Sequence, residues 1–363
     1  MSLIQRQQPR FRPGRRHLLS GIGAVAAGLT FLPRHALSAE EKKVNFYNWD
    51  TYIGENTLSD FNKTTGIDVR MDLYADNDEL FAKFKAGNPG YDVIVPTNDY
   101  VQRMILADML LPLDHDKLPN IANIEQSFFT NASFDPGRRY SLPYMWGTIG
   151  IGYRKSKVKT GFDSWASLLD SDQYSGRIAL LGAGQYVFGA ALKYLGHSWN
   201  ATDPKQIKQA EELIIARKKS IKVFADDNGQ DLLASGEVDI AQEWSGDILQ
   251  VMTEDDDLAY ALPKEGSNLW QDCLAIPKGA PHPENAHAFI NFLFDAKVGA
   301  DIASTIRYGT PNKASKALLK DDYLKSPAIF PDPAILEKCE PAAYLGEQAT
   351  RIRDEAWTRV QAA

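Results

Sequence analysis

Apolar residues recur along this chain in two alternating rhythms. Short runs rich in β-branched and aromatic residues, V-N-F-Y-N-W (44–49), I-D-V-R-M-D-L-Y (67–74) and Y-D-V-I-V-P (91–96), predict strands. Between them, T-L-S-D-F-N-K-T-T-G (57–66) and D-N-D-E-L-F-A-K-F-K-A-G (76–87) repeat apolar positions at helical spacing and close on Gly66 and Gly87. That is a βαβαβ unit. The third strand is apolar throughout, which predicts burial on both faces. The rhythm restarts in the second half: a short helix at 164–169, a strand at 177–182, helices at 187–195 and 205–219, a strand around Val223, a helix near 231–235, a strand at 238–243, another around Trp270 and a helix at 284–294. Strands alternating with helices predict an α/β chain, each half a mainly parallel sheet covered by helices. No repeat, low-complexity tract or long Pro/Gly linker interrupts it, so two lobes must exchange the chain more than once.

The N-terminus follows a different logic. Arg6, Arg10, Arg12, Arg15 and Arg16 precede an uncharged apolar run, Leu18 to Leu32, too short to span a bilayer, and A-L-S-A (36–39) offers small residues to a peptidase. Residues 1–39 read as an export signal cleaved near Glu40, and the adjacent arginines of G-R-R-H-L-L (14–19) mark it as the twin-arginine type. A plain secretory signal and an uncleaved anchor are the alternatives; all three export the protein, with a bacterial periplasm as the destination. The remaining 324 residues exceed one comfortable core, so two lobes are expected. Removing the leader takes six of 40 bases and none of 47 acids, moving the net charge from −7 to −13. An anionic surface argues against nucleic acid or anionic lipid as partners and suits cationic ligands. Cys273 and Cys339 could bridge in an oxidising compartment, but two free buried thiols are the preferred reading. His115, His197, His282 and His287 have no ligand spacing, read as surface or helix histidines, and predict no metal.

Candidate chemistry gathers after the strands, where open α/β sheets bind ligands. N-W-D-T-Y (48–52), P-T-N-D-Y (96–100), E-W-S-G-D (243–247) and W-Q-D (270–272) put Trp at three of four strand ends and an acid at all four. Trp270 and Asp272 share strand parity and face one side. Aromatic faces attract cations and a carboxylate adds a directed partner, the physics of amine recognition. Each residue has a plainer reading: a strand-end Trp often packs a core, and Asp50 and Asp99 could be helix caps. The recurrence at four strand ends favours a site.

F-Y-N-W-D-T-Y, Y-D-V-I-V-P-T, Y-S-L-P-Y-M-W-G-T (140–148), E-W-S-G-D, L-W-Q-D-C-L-A-I-P and I-R-Y-G-T-P-N (306–312) together make the chain resemble, over its mature length, the spermidine/putrescine class of periplasmic binding proteins of ABC transporters. The resemblance implies a type II two-lobe fold with a ligand cleft between lobes: residues 40–147 plus 270–316 as the first lobe, 148–269 plus 317–363 as the second. It implies a monomer that closes about a hinge, binds a small amine without a cofactor, and is recognised by a membrane permease. Trp49, Tyr52 and Thr97 would line the first-lobe wall, Trp244 and Trp270 would sandwich methylenes, Asp272 would hold an ammonium, Tyr308 would close one side, and Asp247 would match an acid of putrescine-type members.

Departures from the family pattern shape the ligand expectation. Where spermidine-type members carry two carboxylates, this chain has Ala183 and Tyr186; extra acids stand at Asp50, Asp99 and Glu340. Arg307, before Tyr308, would suit a carboxylate-bearing ligand or simply pair on the surface. Tyr144 and Trp146 could floor the cleft or pack the hinge. A polyamine is the first reading, and a zwitterionic ω-amino acid such as γ-aminobutyrate the alternative. A hydrolase built on acid pairs such as Glu243 with Asp247 is remote, since no nucleophile elbow, metal cluster or phosphate loop is present. A sensor would use the same closed form as a transport receptor.

Overall fold

The computed structural model describes residues 40–158, 162–226 and 228–363, so the expected export signal at 1–39 lies outside the described residues. Glu40–Ala363 form one compact unit. Among the described residues nine strands make one mixed sheet: β1 (Lys43–Asn48), β2 (Asp68–Leu73), β3 (Val93–Ile94), β4 (Ser141–Arg154), β5 (Ile178–Leu181), β6 (Ile221–Ala225), β7 (Ile240–Trp244), β8 (Leu258–Ala261) and β9 (Leu269–Ala275). They lie in the order β2-β1-β3-β9-β4-β7-β5-β6, with β8 beside β4.

Two parallel trios match the alternating rhythm of the sequence. β2-β1-β3 come from the first βαβαβ unit and β7-β5-β6 from the second half. Joining them are β9, the strand expected around Trp270, and β4, which the rhythm does not announce; the two are antiparallel from Ser141 opposite Ala275 to Thr148 opposite Leu269. β4 then runs on to pair with β7 and β8. A 14-residue strand escaped notice because Pro143 and three glycines break the turn-bounded pattern by which strands are read. Its glycines instead admit large neighbours: a Cβ on Gly147 would stand 2.6 Å from Trp270 Cζ2, and one on Gly152 would stand 2.5 Å from Ile248 Cδ1.

Local signals set most element ends. Asp76 caps the helix Asn77–Lys85 by accepting the Glu79 N–H, and Gly66 ends the helix Thr57–Thr65 at φ 72°. The third strand is shorter than its apolar run, with ladder pairing confined to Val93–Ile94. The Val95 carbonyl is taken instead by two side chains, the Trp49 indole N–H at 2.9 Å and the Tyr74 hydroxyl at 2.6 Å. One histidine departs from expectation. His282 is buried rather than superficial, its Nδ1 2.9 Å from Asp92 Oδ2 and its backbone N–H donating to Asp92 Oδ1, because Asp92 is itself fully buried and needs partners. Cys273 is buried in the first-half core and Cys339 partly covered; both are free thiols.

Candidate ligand-binding site

The strand ends converge as their spacing predicts. Trp49, Asp50, Tyr52, Thr97, Trp244, Asp247, Trp270, Asp272 and Tyr308 line one cavity of about 40 Å³. It is supplied by the loop after β1, the start of the helix Asn98–Leu106, the junction of β7 with the helix Ser245–Val251, strand β9, and the residue pair that follows the helix Ala296–Ile306.

Aromatic rings frame the cavity edge to face. Tyr186 meets Trp244 at 4.8 Å between centroids, Trp244 meets Trp270 at 5.7 Å, Trp270 meets Tyr308 at 4.9 Å, and Tyr308 meets Tyr52 at 5.4 Å. Tyr144 extends the series to Tyr52 at 5.5 Å, and its hydroxyl donates to the Tyr52 carbonyl at 3.0 Å. Edge-to-face packing fixes each ring by the next and leaves faces turned toward the interior of the frame. Two glycines make it possible. Gly147 admits the Trp270 indole, and Gly246 admits Tyr308, whose Cε2 would be 2.5 Å from an added Cβ.

Asp272 stands inside this frame, buried, its backbone opposite Met145 of β4 on one side and bridged to Thr97 on the other. Burial and then the Asp272 charge push the Tyr52 and Tyr144 hydroxyls well above the usual tyrosine range. The Tyr52 and Tyr144 hydroxyls therefore stay protonated and neutral beside Asp272. Asp247 presents its backbone N–H to the Tyr308 hydroxyl at 3.3 Å, and its carboxylate accepts from the Gln250 amide at 3.4 Å. Asp50 is exposed at the rim and accepts the Thr51 N–H, where the chain turns through φ 48°.

The fold is shared by known proteins. The sequence pattern of the bacterial extracellular solute-binding proteins matches residues 56–331. The chain belongs to that family. It is 34% identical to the putrescine-binding periplasmic protein SpuD of Pseudomonas aeruginosa over 90% of this chain and 94% of that one. It is 35% identical to a spermidine/putrescine-binding periplasmic protein of Salmonella typhimurium over 96% and 98%. Among solved structures, the spermidine/putrescine ABC transporter substrate-binding protein PotD of Streptococcus pneumoniae superposes with a TM-score of 0.78 at 31% identity, covering 89% of this chain and 99% of that one. This solute-binding protein is thus an α/β chain of the two-lobe periplasmic class.

A second, larger cavity of about 330 Å³ shares Trp49 and Trp244 with the first. Asp99 and Tyr186 line this one, with Asp76, Asp78, Asp226 and Asp354 around them. The Asp99 carboxylate accepts the Thr97 hydroxyl at 2.6 Å, which links the cavities, and burial raises its pKa above the ordinary aspartate value. Asp76, Asp78 and Asp226 also follow strand ends, β2 and β6, so the strand-end rule reaches them, though Asp76 and Asp78 double as the cap and first turn of the helix Asn77–Lys85. Asp354 and Trp357 sit on the helix Glu347–Ala362, far along the chain, with no local signal.

Four candidates lie elsewhere. Arg307 ends the helix Ala296–Ile306 at φ 61° and pairs with Asp322 at 3.0 Å, a surface ion pair outside both cavity linings. Glu340 is pushed up by burial, but the Ser198 hydroxyl, the Lys193 ammonium at 2.9 Å and the Trp199 N–H at 3.0 Å outweigh that and hold its pKa low. It tethers the C-terminal segment rather than lining a cavity. Glu243 is buried against Gly229 and accepts the Trp244 N–H at 3.0 Å, anchoring the strand end that carries Trp244. Trp146 packs on Gly309 and edge-on to Phe330, beside the crossing strands.

Proposed function

We propose that this protein is an exported receptor that captures a small organic amine of the putrescine/spermidine type and hands it to an ABC transporter permease. The observation that carries the reading is the buried carboxylate of Asp272 inside a frame of neutral aromatic rings, a cavity in which an alkyl ammonium finds a charge partner and π faces for its methylenes. The relatives' names, putrescine-binding and spermidine/putrescine-binding, agree with that chemistry.

Within this reading residues 1–39 are a cleaved twin-arginine signal and the mature receptor works as a monomer in the periplasm. No described helix is long and apolar enough to cross a membrane. Residues 40–147 plus 270–316 form one lobe and 148–269 plus 317–363 the other, with β4 and β9 as the crossings about which they close. The ligand drives closure through contacts it makes only when Trp49, Tyr52 and Thr97 meet Trp244 and Asp247 across the cavity. Binding, not turnover, is the role assigned, and no cofactor takes part. The ω-amino acid alternative rested on Arg307, which is engaged with Asp322 outside both cavity linings.

Titration of the purified mature protein with putrescine, spermidine and γ-aminobutyrate, followed by calorimetry and tryptophan emission, tests the reading. Saturable binding of either polyamine that disappears in Asp272→Ala is expected. Binding of γ-aminobutyrate alone would overturn it.

A further inference from the structure

The site holds a second buried carboxylate. Asp99 is 8% exposed, and no ion pair reaches it among the described residues. Its helix position supplies N–H groups from its own residue and Tyr100, and Thr97 supplies a hydroxyl, so the carboxylate is oriented but has no counter-ion. A buried charge left in that state is costly unless something cationic joins it. The surrounding groups add no compensation: the acids around the larger cavity outnumber its two arginines, and one of these, Arg103, is committed to Asp78 at 3.4 Å.

Geometry relates Asp99 to the aromatic cavity. Thr97 is bridged antiparallel to Asp272, which sets their Cα atoms roughly 4.5–5.5 Å apart. Asp99 follows two residues on, at the first turn of the helix, facing the cavity that adjoins across Trp49 and Trp244. Tyr186 lines the larger cavity with Asp99, and its ring meets Trp244, which both cavities share, at 4.8 Å; burial, then the Asp99 charge, then that of Asp272 raise its hydroxyl. Ala183, Tyr186 and Asp99 line the same cavity.

We propose that Asp99 is the second anionic anchor of the site: one ammonium of a dicationic ligand sits with Asp272 among the rings, and the other crosses the Trp49–Trp244 boundary to Asp99. This rests on the amine reading above and narrows it to ligands with at least two ammonium groups joined by a short aliphatic chain. Asp99 is then the residue that separates dications from monoamines.

The test compares putrescine with butylamine, which keeps the chain and one charge, by calorimetry on the mature protein and its Asp99→Asn variant. The wild type should prefer putrescine, and the variant should lower the putrescine-to-butylamine affinity ratio by about 10- to 100-fold, the range for a lost contact with a charged group. Asp99→Ser repeats the measurement should the amide fold poorly, with thermal unfolding of the ligand-free proteins as the control. An unchanged ratio in a folded variant, or a wild type indifferent between the two ligands, overturns the proposal. If putrescine binding vanishes in Asp272→Asn while the ratio survives in Asp99→Asn, only this inference falls; if the wild type binds no amine, the receptor reading falls with it.

Discussion

Asp272, Asp99 and Arg307 are three charged residues with three different physical situations, and each predicts a different response to removal. Truncating one partner of a desolvated charge pair typically costs about 2–5 kcal/mol, so Asp272→Asn should weaken putrescine binding by roughly 30-fold or more in a calorimetric titration. Arg307 lies outside both cavities, and its pair is largely solvated on the Asp322 side. Arg307→Ala should therefore leave putrescine affinity within about twofold and lower unfolding stability by less than about 1 kcal/mol in urea titration. Because the position sits at φ 61°, Arg307→Gly should be more stable than Arg307→Ala by about 1 kcal/mol, the cost of left-handed backbone for a residue with a Cβ. Asp99 carries the pH dependence. Its folded pKa is raised by burial, so the folded state holds a proton that the unfolded chain has lost. Its contribution favours folding below the unfolded value of about 3.9 and is lost as pH rises through the folded value. Ligand-free Asp99→Asn should accordingly be more stable than the wild type at pH 7, with the gap closing as pH falls toward about 4, readable from urea midpoints across pH.

At the scale of elements, the site depends on how close β4 lets β9 and its neighbours come. Gly147 has no room for a methyl group, since its Cβ would stand 2.6 Å from Trp270 Cζ2 and 3.0 Å from Ser245 Oγ. Gly147→Ala should cost about 1–3 kcal/mol of stability through overpacking and displace the Trp270 ring, so that putrescine binding weakens even though no ligand-contacting residue has changed. A crystal structure of the variant with an unmoved Trp270 would contradict this. The same reasoning explains which elements could be read in advance. Helices such as Asn77–Lys85 carry their period and their cap locally, and the sequence places them within a residue or two. β4 is specified by what packs on it, and neither Pro143 nor its glycines signal that from within.

For the whole molecule, the sheet order makes β4 and β9 the shared elements of both strand groups. Every aromatic and acid of the aromatic cavity comes from beside those strands or from the strand ends facing them. A ligand that bridges the two groups should stabilise the closed arrangement, and at 100 times its dissociation constant it should raise the unfolding free energy by about 2.7 kcal/mol if it binds only the folded state. Thermal unfolding with and without putrescine measures this, and small-angle scattering should show the particle contract on binding if the ligand drives closure.

The sequence by itself determined the two α/β halves, the convergence of Trp49, Tyr52, Thr97, Trp244, Asp247, Trp270 and Asp272, and the shared face of Trp270 and Asp272, because strand parity and the carboxyl-end rule are local or topological facts; Tyr308, which follows a helix, was implied only by the family resemblance. It also left Asp99 open between helix cap and ligand partner, Arg307 between cavity base and surface pair, and Glu340 as a candidate with no partner in view. Only the tertiary structure decided their surroundings: Asp322 and Lys193 lie 15 and 147 residues from Arg307 and Glu340, and no local pattern encodes contacts that distant. The acid-lined second cavity is of the same kind, since one of its walls is the C-terminal helix, brought to the end of β5 by packing alone.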